Sequence, residues 1–239
     1  MKVSVTYLIN SGFLLRIDDT LLLFDDYRDP SAAVDQAIRE GMKDFYIFAS
    51  HAHFDHFDKH ILDYAKEATA YIFGYDIRHT KRVREFPQDK TVYMETYAEW
   101  ENEDLLVNSF DSTDAGVSFL VRFKRSGKSI FHAGDFNWWD WTGEDRETRK
   151  LAENAFKKQM KRIAGMQADI AFFPVDGRLE TSMERGAKVF VRETDVKNLI
   201  TMHSVGYPAW QPGGDFFGKN KEIPVWSPRV SGETREYII

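Results

Sequence analysis

Between Phe48 and Asp58 the chain reads F-A-S-H-A-H-F-D-H-F-D, placing His51, His53, Asp55 and His56 within six residues of a protein that has seven histidines in all. Imidazoles packed this closely repel one another when protonated and compete for solvation when neutral, so a metal ion is their simplest stabilising partner. Imidazole nitrogen and carboxylate oxygen suit zinc, with manganese or iron as alternatives. In an extended segment His51 and His53 project to the same side, and a turn through Asp55 and His56 brings a second pair round. Two more residues of the same chemical type stand far along the chain: Asp135, in F-H-A-G-D, and His203, in T-M-H. A carboxylate such as Asp135 can bridge two ions, so the expectation is one or two divalent metal ions. His56 and His60 also have the i, i+4 spacing of helical zinc proteases, but H-F-D-K-H carries Phe57 where that mechanism needs a glutamate.

Each candidate ligand follows an apolar run of β character. Val3 to Leu8, Gly12 to Ile17 and Thr20 to Phe24 read as an antiparallel meander. Phe45 to Ala49 ends at the histidine cluster, and Asp58 is placed to cap a helix carrying Ile61, Leu62 and Ala65. Strands are expected near Ala70 to Phe73 and Thr91 to Met94. Gly116 to Phe123 and Lys128 to Ala133 flank Arg125-Ser126-Gly127, a hairpin signal, and the second runs into Gly134-Asp135. Arg146 to Ile163 has the period of an amphipathic helix, Asp169 to Phe173 reads as a buried strand, Met183 to Val191 as a helix, and Asn198 to Met202 as a strand ending at His203. Loops leaving separate strands therefore carry the ligands, as in many sites built on a rigid scaffold.

The rest of the composition narrows the function. The chain has 239 residues and no internal repeat or linker composition, which reads as one domain over 1–239. The absence of cysteine excludes disulfides and thiolate metal sites. No apolar run approaches the ~20 residues needed to cross a bilayer, and no signal-type N-terminus is seen, so the expected location is cytoplasmic, without membrane association. A formal charge of -6 argues against a nucleic-acid partner. The basic run Lys81-Arg82-Val83-Arg84 reads as a solvated face. A small-molecule substrate is the expected partner; oligomeric state is not legible.

S-H-A-H-F-D-H resembles the H-x-H-x-D-H signature of the metallo-β-lactamase superfamily, and F-H-A-G-D (Phe131 to Asp135) and T-M-H (Thr201 to His203) resemble its later metal motifs in order and spacing. The likeness covers nearly the whole chain, including a closing S-G-E-T-R-E-Y-I-I, and looks most like the ascorbate-6-phosphate-lactonase-like branch. The resemblance implies an α/β fold of the α+β kind, a four-layer αβ/βα sandwich with the site at one edge of its sheets. Carried over by position, His51 and His53 would hold the first metal, Asp55, His56 and His203 the second, and Asp135 would bridge both. Water bound there would lose enough pKa to give hydroxide at neutral pH, with Asp55 as ligand and orienter.

Two positions depart from that pattern. The family normally supplies another histidine ahead of the G-D motif, and Val107 to Ser118 contains none. Asp114, or Asp111, would replace it as an oxygen ligand, or Ser112 and Thr113 would hold a water. Asn10-Ser11 stands where relatives of the lactonase carry a Gly-His pair, which weakens the case for a lactone substrate. Asp25, Asp26 and Asp58 are candidates to orient the imidazoles, and His132 faces either the site or the other side of its strand. Among Trp138, Trp139 and Trp141, Trp138 is the candidate wall of a substrate pocket; Arg178 is a candidate for an anionic group on the substrate, and Pro208 to Phe217 a candidate cover. The expected activity is metal-dependent hydrolysis of a small ester, lactone or phosphoester. The alternatives are a diiron oxidoreductase, a metal-dependent nucleic-acid-processing enzyme and a noncatalytic metal-binding protein.

Overall fold

The computed structural model describes residues 1–204, 207, 210–218 and 222–239. Positions 208 and 209 of the expected cover therefore lie outside the described residues. The chain divides into two compact units, Met1–Thr96 with Arg229–Ile239, and Tyr97–Pro228.

The first unit is built on a seven-stranded sheet. Its strands are β1 (Lys2–Tyr7), β2 (Phe13–Ile17), β3 (Thr20–Phe24), β4 (Asp44–Ala49), β5 (Ala70–Gly74) and β6 (Thr91–Met94), with the C-terminal β16 (Thr234–Ile238) paired antiparallel to β1. The expected meander is present: β1, β2 and β3 run antiparallel, joined by tight turns at Asn10 and Asp18, both with positive φ. From β3 the sheet turns parallel, because α1 (Ala33–Glu40) and longer loops carry the chain back over its face before β4, β5 and β6. Strands β3, β4 and β5 are buried along nearly their whole length, the pattern of parallel strands covered on both faces. Leu21, Leu23, Phe45, Ile47, Tyr71 and Phe73 form a cluster with Phe57, Ile61 and Phe86 from the loops. Asp58 caps the segment that follows it through the His60 amide, but Lys59–Tyr64 is a 3-10 turn where an α-helix was expected.

The second unit holds another seven-stranded sheet, with β7 (Glu99–Glu101), β8 (Leu105–Asp111), β9 (Val117–Phe123), β10 (Ser129–His132), β12 (Ile170–Pro174), β14 (Leu199–Met202) and β15 (Val225–Trp226), and a two-stranded pair of β11 (Gln167–Ala168) and β13 (Asp195–Val196). Strands β7 to β10 are antiparallel, with the β9–β10 hairpin turning at Gly127, φ 69°. The 18-residue α2 (Arg146–Ile163) then crosses over, and β10, β12, β14 and β15 run parallel. Asp145 starts α2 by accepting the Glu147 and Thr148 amides. α3 (Arg185–Glu193) packs Phe190 between Phe131 and Phe173, at ring separations of 5.4 and 4.5 Å. The two sheets with few helices are the mixed α/β class expected.

This topology matters for the site. Parallel neighbours end at the same edge, so in the first sheet Asp25 and Ser50-His51 leave the ends of β3 and β4 side by side. In the second, Asp135 follows β10, Asp176 follows β12 and His203 follows β14, again on one edge.

Candidate metal centre

Asp25 organises the histidine segment of the first unit. It is fully buried, in left-handed backbone with φ 44°. One carboxylate oxygen accepts the Ser50 amide at 2.7 Å; the other accepts Ser50 Oγ at 2.7 Å and His56 Nδ1 at 2.7 Å. Because the single Ser50 hydroxyl proton points to Asp25, Ser50 Oγ accepts from His51 Nδ1 at 2.9 Å. One carboxylate thereby fixes both tautomers: His51 and His56 carry their protons on Nδ1, and Nε2 is the donor atom of each. His51 Nε2 lies 2.9 Å from His53 Nδ1, and His56 Nε2 lies 3.9 Å from Asp55 Oδ2. Asp55 is steadied by Asn10, whose Nδ2 donates to Oδ2 at 3.1 Å.

The loop carrying these residues is held from outside as well. A Cβ on Gly74, at the end of β5, would stand 2.1 Å from the Ser50 carbonyl oxygen, so only glycine lets the two strand ends approach. Asp76 accepts the Ala52 amide at 2.9 Å. Arg82, expected on a solvated face, instead turns inward, and its guanidinium donates to the Phe57 and Ala52 carbonyls.

The second unit repeats the arrangement with other residues. His203, at φ 59°, donates from Nδ1 to Asp176 Oδ2 at 3.0 Å, and its Nε2 lies 3.6 Å from Asp135 Oδ1. Burial of Asp176 by itself raises its carboxyl, but hydrogen bonds from His203 and Arg178 outweigh that and hold its pKa below the ordinary value of 3.8. Thr113 ties down the bridging candidate's loop, donating to Asn137 O at 2.6 Å and accepting the Asn137 amide at 2.9 Å. His132 is buried and accepts the Gly134 amide on Nδ1 at 3.2 Å, which braces the turn into Asp135.

Other site expectations fall differently. Trp138 stacks on Phe156 of α2 at 5.8 Å, with Lys157 over its ring, and the tryptophan set edge-on to His203, at 5.5 Å, is Trp139. Trp139 also donates to the Asp135 carbonyl at 2.9 Å and stacks on Trp141. Arg178 is engaged with Asp176 through Nε and Nη2 and lies over Trp141. Asp111 accepts from Gln159 at 2.6 Å, while Asp114 is exposed; among the described residues neither belongs to a group of three or more metal-ligand side chains. Of the three candidate orienting aspartates, Asp25 serves His56, whereas Asp26 and Asp58 both bind His60. Asp176, Asn10 and Arg82 were not anticipated in these roles. Asp176 had a signal, a lone carboxylate following a buried strand; the other two had none.

The separations of 3.6 and 3.9 Å are too long for hydrogen bonds. They fit two donors sharing an ion, since ligands ~2.1 Å from a tetrahedral metal stand ~3.4 Å apart. The donor set, nitrogen and oxygen with buried carboxylates behind the imidazoles, thus fits a divalent metal.

No protein-family model matches the chain, and no curated protein matches it. Solved structures do. Igni18, a metallo hydrolase from the hyperthermophilic archaeon Ignicoccus hospitalis, superposes over 100% of both chains with a TM-score of 0.67 at 16% identity. CmlA, a diiron β-hydroxylase from Streptomyces venezuelae, matches 99% of this chain with a TM-score of 0.63 at 12% identity, and this chain spans 54% of it. YhfI from Bacillus subtilis, a metallo-β-lactamase-fold protein, matches over 99% of each chain with a TM-score of 0.58 at 13% identity. At these identities the likeness is one of fold, and the fold is that of the metallo-β-lactamases.

Proposed function

We propose that the protein is a metal-dependent hydrolase of a small ester, lactone or phosphoester, its two units serving one catalytic domain. The observation that carries this is the pair of buried carboxylate–imidazole couples, Asp25–His56 and Asp176–His203, each turning Nε2 toward a further carboxylate. In the proposed centre, as the sequence resemblance implies, His51 and His53 would hold one ion and Asp55, His56 and His203 the other, with Asp135 shared. The neighbouring metallo hydrolase supports hydrolysis, and the diiron neighbour supports testing iron beside zinc.

Divalent ions in such a centre acidify water and polarise a carbonyl or phosphoryl oxygen. The chain's own groups do the rest. Asp25, directly and through Ser50, fixes the tautomer and the aim of His51 and His56. Asp176, clamped by Arg178, does the same for His203, so Arg178 is proposed to act on the site through Asp176. Asp55, held by Asn10 and partly exposed, is proposed to serve as both ligand and orienter of the hydroxide. Trp139, over His203, keeps that side of the centre dry and gives the substrate an apolar surface.

Metal analysis of protein purified without added metal, followed by a panel of lactones, carboxylic esters and phosphodiesters with and without chelator, tests the proposal. Retained zinc, manganese or iron with chelator-sensitive hydrolysis is expected. Protein that retains no divalent ion and hydrolyses nothing in the panel after reloading would overturn it. No helix among the described residues is long and apolar enough to cross a membrane.

A further inference from the structure

We infer that Arg82 is a positioning residue for the metal centre, a guanidinium clamp that holds the H-x-H-x-D-H loop in its ligating shape before any ion arrives. Arg82 lies in the 3-10 turn Lys81–Glu85, outside every metal motif, in a run whose other basic members, Lys81 and Arg84, are exposed. Its Nη1 donates to the Phe57 carbonyl at 2.5 Å and its Nη2 to the Ala52 carbonyl, and its Cζ stands 5.2 Å from the centroid of the Phe57 ring. Residues 52 and 57 are the two that flank His53 to His56. The guanidinium therefore bridges the two ends of the segment that supplies three of the proposed ligands.

The geometry needs arginine. Its planar fork offers two parallel N–H groups at fixed spacing, whereas a lysine ammonium is a point charge that serves one carbonyl well. The Ala52 peptide is gripped on its other side, where the amide donates to Asp76 at 2.9 Å. Inside the clamp the loop closes on itself, with the His56 and Phe57 amides both donating to the His53 carbonyl, at 3.2 and 3.0 Å. With its ends pinned and its turn closed, the loop presents His53, Asp55 and His56 with little freedom left to lose on binding an ion. The clamp thereby supplies ordering that metal binding would otherwise have to impose.

The inference rests on the metal reading above, and its test separates the two. Arg82→Lys, which keeps the charge, and Arg82→Met, which keeps the aliphatic stem, are compared with wild type in the full chain. Three quantities are read: thermal unfolding of the metal-free protein, amide hydrogen exchange of residues 53–57 in that state, and zinc affinity by competition with a chromophoric chelator. Both variants are expected to unfold within a few degrees of wild type, to exchange these amides faster, and to bind zinc ~10- to 100-fold more weakly, the usual loss when support behind metal ligands is removed. Arg82→Lys should retain more affinity than Arg82→Met. Zinc bound by wild type and by both variants with equal affinity would overturn the clamp alone. A wild type that binds no divalent ion would overturn the metal reading and the clamp with it. If Arg82→Met does not fold, the Arg82→Lys comparison decides.

Discussion

His56 Nδ1 and Asp25 Oδ2 are 2.7 Å apart, and both side chains are buried. The same carboxylate oxygen also accepts the Ser50 hydroxyl that receives the His51 proton. Asp25→Asn keeps the shape but puts an amide N–H in competition with these donors, so both His51 and His56 lose their tautomer lock. Divalent-metal affinity should fall ~10- to 100-fold. Because His51 and His56 fall in different proposed ligand sets, occupancy should fall at both positions together, which metal analysis after graded dialysis will show.

If Asp135 is the shared ligand proposed above, Asp135→Ala should remove hydrolysis and deplete both ions. The loop itself is held by Thr113 and by Trp139 through backbone atoms of Asp135 and Asn137. Circular dichroism and the thermal midpoint of the metal-free variant should therefore stay close to wild type.

The two metal positions should differ in strength. An ion at the proposed His51/His53 position would have two imidazoles and a share of Asp135, while Asp111 is engaged with Gln159 and Asp114 is exposed. Chelator titration should release metal in two stages, and mild acid should release the weaker ion first, since protons compete for its ligands. Asp114→Ala should leave both stages in place; loss of the early stage would make Asp114 the third donor. A single stage would refute the inequality.

Asp140 is the structural anchor of the tryptophan loop, accepting from Arg149 at 2.6 and 3.0 Å, from Ser182 at 2.8 Å, and from Arg185. The Arg149 hydrogen bonds, first among several causes, hold its pKa below the ordinary 3.8. A carboxyl depressed in the folded state contributes stability that is complete above its unfolded pKa and is lost as pH falls through the folded one. Asp140→Asn should cost about 2 kcal/mol at neutral pH, as the loss of charged hydrogen bonds from half-exposed arginines. The difference from wild type should shrink below about pH 3.8. Urea unfolding at pH 7 and pH 3 measures both.

What sequence revealed follows from the range of each interaction. Thr91–Met94 and Arg146–Ile163 appear where their patterns place them, because alternation and the helical period are local properties. The candidate metal ligands stand out in the sequence for the same reason, as short motifs at the ends of apolar runs. Asp25–His56 and Asp176–His203 join residues 31 and 27 positions apart, and nothing in the intervening sequence marks the pairing. Arg82 was misread because its neighbours in sequence are surface charges, while its partners are carbonyl groups 25 and 30 residues away, which have no sequence signature at all. The choice among the three tryptophans depended on which way each ring turns from a loop, a property without periodicity.

The pairing of β16 with β1 sets an order of events on the ribosome. Residues 97–228 form a contiguous unit and are synthesised in full before Thr234–Ile238 exists. The first sheet must wait with the outer edge of β1 unpaired until β16 emerges and registers Val3 against Tyr237. For that interval Lys2–Tyr7 presents a row of open amide and carbonyl groups, the template on which nascent chains pair with one another. Removal of residues 229–239 would therefore leave every residue of the second unit in place while opening the β1 edge of the first sheet, and the shortened chain should self-associate or recruit chaperones more readily than the full chain.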